Sequence, residues 1–205
     1  MIELSTTEER RKRGSSLKAG SSCPLFLRGG EFCAALIAVT MLAAPSAAFA
    51  QQSPPARATA TISGRTVTVQ YSAPSVRGRT IFGNGGLLSR DPTYPAWRAG
   101  ANAATVFKTD GALEVGDLMV SAGSYTLYVW VKDPDQWDLI LSKQTGQWGL
   151  TYNASADLGR VKMTMSRPAA PVETLKYTLT DKGGGVGELR LEWEQHVATV
   201  PLHAK

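Results

Sequence analysis

Cysteine and histidine are nearly absent from this 205-residue chain, with two of each. Both cysteines, Cys23 and Cys33, stand in the first 50 residues, so residues 51–205 hold no thiol and form no disulfide. The histidines, His196 and His203, are spaced unlike any zinc cassette, and they read as surface residues. No Gly-x-Ser-x-Gly elbow occurs and no cysteine follows residue 50, so a nucleophilic triad has no visible parts. The glycine run Gly83–Gly86 lacks the Lys-Ser/Thr of a phosphate loop. Asp133, Asp135 and Asp138 lack the turn glycine and closing glutamate of a calcium loop, and read as a charged hairpin turn. No catalytic residue, metal or cofactor is predicted from these patterns.

Helical periodicity is missing too, and without crossover helices a parallel α/β architecture has nothing to build on. Nor is there a block of like charge after residue 50. Residues 51–205 keep 16 of the 22 basic residues and 13 of the 17 acidic ones, scattered along the chain. Nucleic acid is therefore not an expected partner.

One apolar run is present, FCAALIAVTMLAAPSAAFA, Phe32 to Ala50, followed abruptly by polar QQSPPAR. Small residues at Ala48 and Ala50 meet the requirement of a signal peptidase and predict cleavage before Gln51. A long n-region with Arg10, Arg11, Lys12, Arg13, Lys18 and Arg28 precedes the run. Pro45 and the many small residues suit a membrane anchor poorly. The expected organisation is a signal peptide over 1–50, a linker over 51–55 and a domain over 56–203. The protein is expected to be exported, periplasmic or extracellular, with no membrane insertion after cleavage.

From Ala56 onward the pattern has period two, as in strands with one buried face. Ala58, Ala60 and Ile62 alternate with threonines. Ser63-Gly64-Arg65 turns the chain into Val67, Val69 and Tyr71. Further strands are predicted at 104–108, 113–115 and 118–120. YTLYVWV, Tyr125 to Val131, is apolar on both faces, as a central strand would be. Others follow at Trp137/Leu139/Leu141, Val161/Met163/Met165, Leu175/Tyr177/Leu179, Leu189/Leu191/Trp193 and Ala198–Leu202. One helical turn is predicted within 153–158. The fold class is all-β: a single antiparallel β-sandwich, or a flattened barrel, of about nine or ten short strands.

Between Ser75 and Asn102 the alternation stops. Loops of that length in a compact domain are functional or disordered, and Phe82, Tyr94 and Trp97 argue for order. Arg77, Arg79 and Arg98 are three of the nine arginines after residue 50. Their planar forks suit carboxylate, phosphate or sulfate, while Trp97 and Trp148 offer flat faces that also suit sugars. Asn102 and Gln147 add amide hydrogen-bonding groups. The same residues have a plain alternative reading, in which Trp97 plugs one end of the sandwich and Arg98 pairs with a buried carboxylate.

The order of several motifs resembles a bacterial family of unknown function, domain 2911. They are SPPA, YSAPSVRGRTIFG, WRAGANAAT, SAGSYTLYVW, ILSKQTGQWG, DLGRVKM and LRLEW, spanning about residues 53–202. The resemblance implies a secreted or periplasmic, mainly β protein and no established activity. It emphasises Arg77, Arg79, Phe82, Trp97, Arg98, Gly100, Asn102, Gln147, Trp148 and Gly149, among others. An acidic residue usually follows Gly-Ala-Asn in that pattern, and here the position is Ala103. The segment before Trp97, LLSRDPTYPA, departs from it as well.

Three readings of function stay open. The first is a binding module for a small anionic or carbohydrate ligand at the Trp97/Arg98/Asn102 loop. The second is an envelope-associated hydrolase whose site forms only in three dimensions. The third is a purely structural domain.

Overall fold

A computed structural model describes residues 53–205. The expected signal peptide, both cysteines and the linker residues Gln51 and Gln52 lie outside the described residues. The alternating segments become strands β1 (Pro55–Ile62), β2 (Arg65–Ser72), β3 (Ala96–Trp97), β4 (Thr105–Thr109), β5 (Leu113–Val115), β6 (Leu118–Val120) and β7 (Gly123–Asp133). They continue as β8 (Gln136–Ser142), β9 (Asp157–Lys162), β10 (Thr164–Ser166), β11 (Val172–Gly183), β12 (Val186–Glu194) and β13 (His196–Ala204). Two short 3-10 turns, Leu88–Arg90 and Ala154–Ala156, are the remaining regular elements among the described residues.

The strands form two antiparallel sheets and do not close into a barrel. The first has the order β1-β2-β4-β7-β8-β9, with β3 added to β7. The second has the order β11-β12-β13-β5-β6, with β10 added to β13. Inward residues such as Val69, Phe107, Leu127 and Leu139 from the first sheet meet Leu113, Leu189, Leu191 and Val200 from the second in one core. Their alternation with outward threonines and charges is what the period-two pattern encodes.

Thirteen strands form where about nine or ten are expected, and two of the additions have a clear cause. Ala96–Trp97 pairs with Trp130 and Val129 of β7, a contact that no local pattern announces. Val161/Met163/Met165, read as one strand, is two. The chain leaves the first sheet after β9, passes the buried Met163, and joins β13 of the second sheet as β10.

The both-faced apolarity of β7 has a specific cause. One face points into the core, and the other is roofed by residues 143–156. Thr126 donates to the Gln144 carbonyl at 2.7 Å and Tyr128 to the Thr151 carbonyl at 2.6 Å. Both residues are fully buried although they lie on the outer side of the sheet.

Candidate functional site

Trp97 sits in the core at one end of the sandwich, 2% exposed. Its ring stacks on Trp193 at 5.4 Å between centroids and meets Phe82 edge-on at 5.9 Å and Trp137 at 6.4 Å. Phe82 comes from the irregular region, held there by the buried Ile81 and Leu88 and by the Leu88 N–H donating to the Ile81 carbonyl. Trp137 and Trp193 come from β8 and β12. The cluster therefore ties the long loop to both sheets.

After Trp97 the chain turns sharply through Ala99, at φ +50°, and Asn102, at φ +61°. An L-residue enters this left-handed region at a cost, asparagine least, so neighbouring contacts must hold Ala99 in place. Two buried hydroxyls do so. The Ala99 carbonyl accepts from Thr105 at 3.1 Å and from Tyr177 of β11 at 2.9 Å. The Ala101 N–H adds a bond to the Ser72 carbonyl.

Arg98 points away from the core, as the residue after an inward Trp97 must. Its Nη1 donates to Asp91 Oδ2 at 3.1 Å, and both side chains are largely shielded, 19% and 9% exposed. Asp91 is set by its own turn: its other oxygen accepts from the Thr93 N–H at 3.0 Å and hydroxyl at 2.8 Å. The guanidinium Nε of Arg98 is buried without an acceptor. The Arg98 stem lies against Gly149, where any Cβ would strike it and the Asn102 carbonyl, 2.6 Å away.

Beside this pair opens a cleft of about 330 Å³, lined by Arg79, Arg90, Asp91, Trp97, Arg98 and Trp193 among others. Three guanidiniums stand against one carboxylate. Arg79 is held by carbonyls, donating to Val76 at 3.0 Å and Ser75 at 2.6 Å, and Arg90 donates to the Gly85 carbonyl at 3.3 Å. Among the described residues neither Arg79 nor Arg90 has a carboxylate partner. Once Asp91 neutralises Arg98, two positive charges remain.

The seven residues singled out from the sequence do not share this place. Arg79, Trp97 and Arg98 line the cleft. Arg77 is exposed nearby, its backbone N–H bonded to Glu173. Asn102 is exposed at the turn. Gln147 belongs to the roof over the first sheet, where its amide nitrogen donates to Thr126, Tyr128 and the Gln144 carbonyl. Burial pushes the Tyr128 phenol pKa up, so that hydroxyl stays a neutral acceptor for Gln147. Trp148, 58% exposed, bridges by its backbone to Ala103.

Among the lining residues that sequence reasoning missed are Arg90, Asp91 and Trp193. Arg90-Asp91 stands in the irregular segment before β3. An Arg-Asp-Pro-Thr turn seven residues before Arg98 is the signal that marks it. Trp193 reads simply as a core position of β12.

His196 departs from its expected surface role. Its ring stacks on Trp137 at 5.1 Å and lies 4.5 Å from Phe82, its side chain 13% exposed. Burial lowers its pKa, Arg167 lowers it further and Asp135 opposes both. Glu194, 4.0 Å away, is pushed up by burial, although its carboxylate accepts from the Ile81 N–H. Among the described residues no three His, Cys, Asp or Glu side chains group as metal ligands.

No curated protein and no solved structure matches the chain. The family model described as a protein of unknown function, DUF2911, matches residues 53–202, which takes in the cleft, the aromatic cluster and the roof, and the chain belongs to that family.

Proposed function

We propose that the protein is an exported binding module that holds a small anion in the Arg79/Arg90/Arg98 cleft. One observation supports this above the others: Arg79 and Arg90 face a shared space with no carboxylate of their own, beside an arginine whose Nε lacks an acceptor. Guanidinium forks bond carboxylate and phosphate oxygens in pairs, and the low-dielectric wall of Trp97 and Trp193 strengthens such bonds. A ligand carboxylate or phosphate supplies the charge that the cleft lacks. Ser53 lines the cleft as well.

Titration calorimetry with inorganic phosphate and with succinate tests the reading, with maltose as a neutral control. Each charge-assisted hydrogen bond contributes about 1.5–3 kcal/mol, so Arg79→Ala and Arg90→Ala should each weaken binding roughly 10- to 100-fold. Binding should also weaken from about 0.05 to 0.5 M salt, as screening requires. Equal affinity for wild type and the Arg79→Ala/Arg90→Ala double variant would sink the idea. So would binding of maltose as tight as that of the anions. Amino-terminal sequencing of the purified export product should begin at Gln51.

A further inference from the structure

We propose a second site: a pocket next to the cleft that binds the ring of an acidic sugar, a pyranose carrying a carboxylate. The pocket measures about 490 Å³, within the ~300–1,000 Å³ range typical of small-ligand sites. It shares one short turn with the cleft. Ser89 lines the pocket, while its neighbours Leu88 and Arg90 line the cleft. The two are chemically unlike, and this inference does not rest on anion binding in the cleft.

Three rings form the apolar part of the wall: Phe82, Trp137 and Tyr94. Phe82 and Trp137 lie 4.9 Å apart at 35°, with the 1%-exposed Trp137 ring backing the partly buried Phe82. Tyr94 stands 40% exposed, unusual for so large a ring and consistent with a face kept open. Aromatic faces of this kind pack against the C–H face of a pyranose or against another aromatic ring.

The polar groups decide between those two. Asn84, Ser89 and Lys132 line the same pocket, the Tyr94 hydroxyl adds a fourth group, and no carboxylate is among the lining residues. The Trp137 indole lies behind this wall, 1% exposed with its nitrogen buried, and serves as a reporter on the pocket. Ser89 already donates to the Gly86 carbonyl and so offers its oxygen as an acceptor for a hydroxyl. An aromatic carboxylate brings only two oxygens to these four groups. A uronate ring brings a carboxylate for Lys132 and several hydroxyls, which donate and accept, for the rest.

The test is a ¹H–¹⁵N titration of the full mature chain with D-glucuronate, D-glucose and benzoate, following the assigned Trp137 indole resonance. Glucuronate should shift that resonance saturably. Glucose should bind more weakly, and benzoate more weakly than glucuronate. Tyr94→Ala removes an exposed ring and should weaken glucuronate binding roughly 3- to 10-fold, as loss of one aromatic contact implies. Lys132→Gln should erase the preference for glucuronate over glucose while leaving glucose binding unchanged. Saturating the cleft with inorganic phosphate should leave the glucuronate-induced Trp137 shift in place, which separates this site from the cleft. An unmoved Trp137 resonance at tens of millimolar glucuronate would overturn the proposal. Benzoate binding as tight as glucuronate would overturn the choice of a sugar. Loss of the glucuronate-induced Trp137 shift on adding phosphate would move the ligand into the cleft and refute a second site.

Discussion

Replacing Trp97 with alanine removes the centre of a ring cluster that spans both sheets. Its indole is 2% exposed and touches Trp193, Phe82 and Trp137. Loss of a buried aromatic of this size costs about 3–5 kcal/mol, through lost transfer free energy and the cavity left behind. The Trp193 stack, with planes 18° apart, adds geometry-dependent attraction of about 0.5–1.5 kcal/mol for such pairs. The upper half of the range is therefore expected, because the rigid rings of Trp137 and Trp193 cannot collapse into the space. A domain of this size has only about 5–15 kcal/mol in total, so the variant should fold but lie near the edge of stability.

Urea denaturation followed by far-UV circular dichroism measures the loss. With a slope of about 2 kcal/mol per molar, a 4 kcal/mol loss lowers the midpoint by about 2 M. Trp148→Ala is the matched control, since that indole is 58% exposed and should change stability by no more than about 0.5 kcal/mol. Trp97→Phe keeps an aromatic in the cluster and should fall between the two. A cost below about 1 kcal/mol for Trp97→Ala, the ordinary effect of a surface change, would refute the reading of Trp97 as a core residue. An equal cost at Trp148 would refute it as well.

Tyr177→Phe keeps the ring packed edge-on against Tyr71 at 4.7 Å but removes one of two hydroxyls on the Ala99 carbonyl. It should cost about 0.5–1.5 kcal/mol by urea denaturation, and no loss at all would mean that the left-handed turn is held by other contacts. His196 gives a pH signature. Its folded pKa lies below the ordinary 6.5, so as pH falls through 6.5 the unfolded chain takes up the proton first and stability declines. Glu194 works in the opposite sense: its folded pKa lies above 4.5, so its contribution is present at low pH and fades as pH rises through the folded value. Urea midpoints between pH 5 and 7.5 should therefore rise with pH near 6.5 in wild type. His196→Gln should flatten that slope, Arg167 and Asp135 being the other charges beside the ring. An unchanged slope in the variant would assign the titration elsewhere.

Strand identity was largely legible because burial on one face imposes a two-residue rhythm that local sequence carries by itself. Val67/Val69, Leu139/Leu141 and Leu189/Leu191 announce their sheet faces in this way. What stayed hidden depends on partners far along the chain. Trp97 becomes a strand residue only because Val129 lies opposite it. His196 is drawn inward by Phe82 and Trp137, more than 100 and nearly 60 positions away. The importance of residues 75–102 could be inferred from their length and aromatic content. The division of the candidate residues between cleft, exposed turn and roof could not, since Gln147 is held by Thr126 and Tyr128 of β7 and Trp148 by the backbone of Ala103, contacts that leave no motif. Asp91 was passed over for a related reason: a carboxylate in an irregular turn looks like a solvated one until Arg98 is seen beside it.

The architectural role of the WRAGAN segment and its proposed binding role divide by residue rather than compete. β3 ends at Trp97, whose indole is buried in the core, and the next residue, Arg98, pairs with Asp91. With the indole held between Trp193 and Phe82, the guanidinium lines the cleft. The rigidity of the cluster is what keeps it there, and the Ala99 carbonyl fixes the chain immediately afterwards. The carboxylate that meets Arg98 is Asp91, from the irregular segment before β3. A frame that holds an arginine at one angle while its counter-charge comes from a surface turn separates the charge of the cleft from the packing of the core. Asp91 leaves two of three guanidiniums uncompensated, and that surplus is the property on which the proposed anion binding depends.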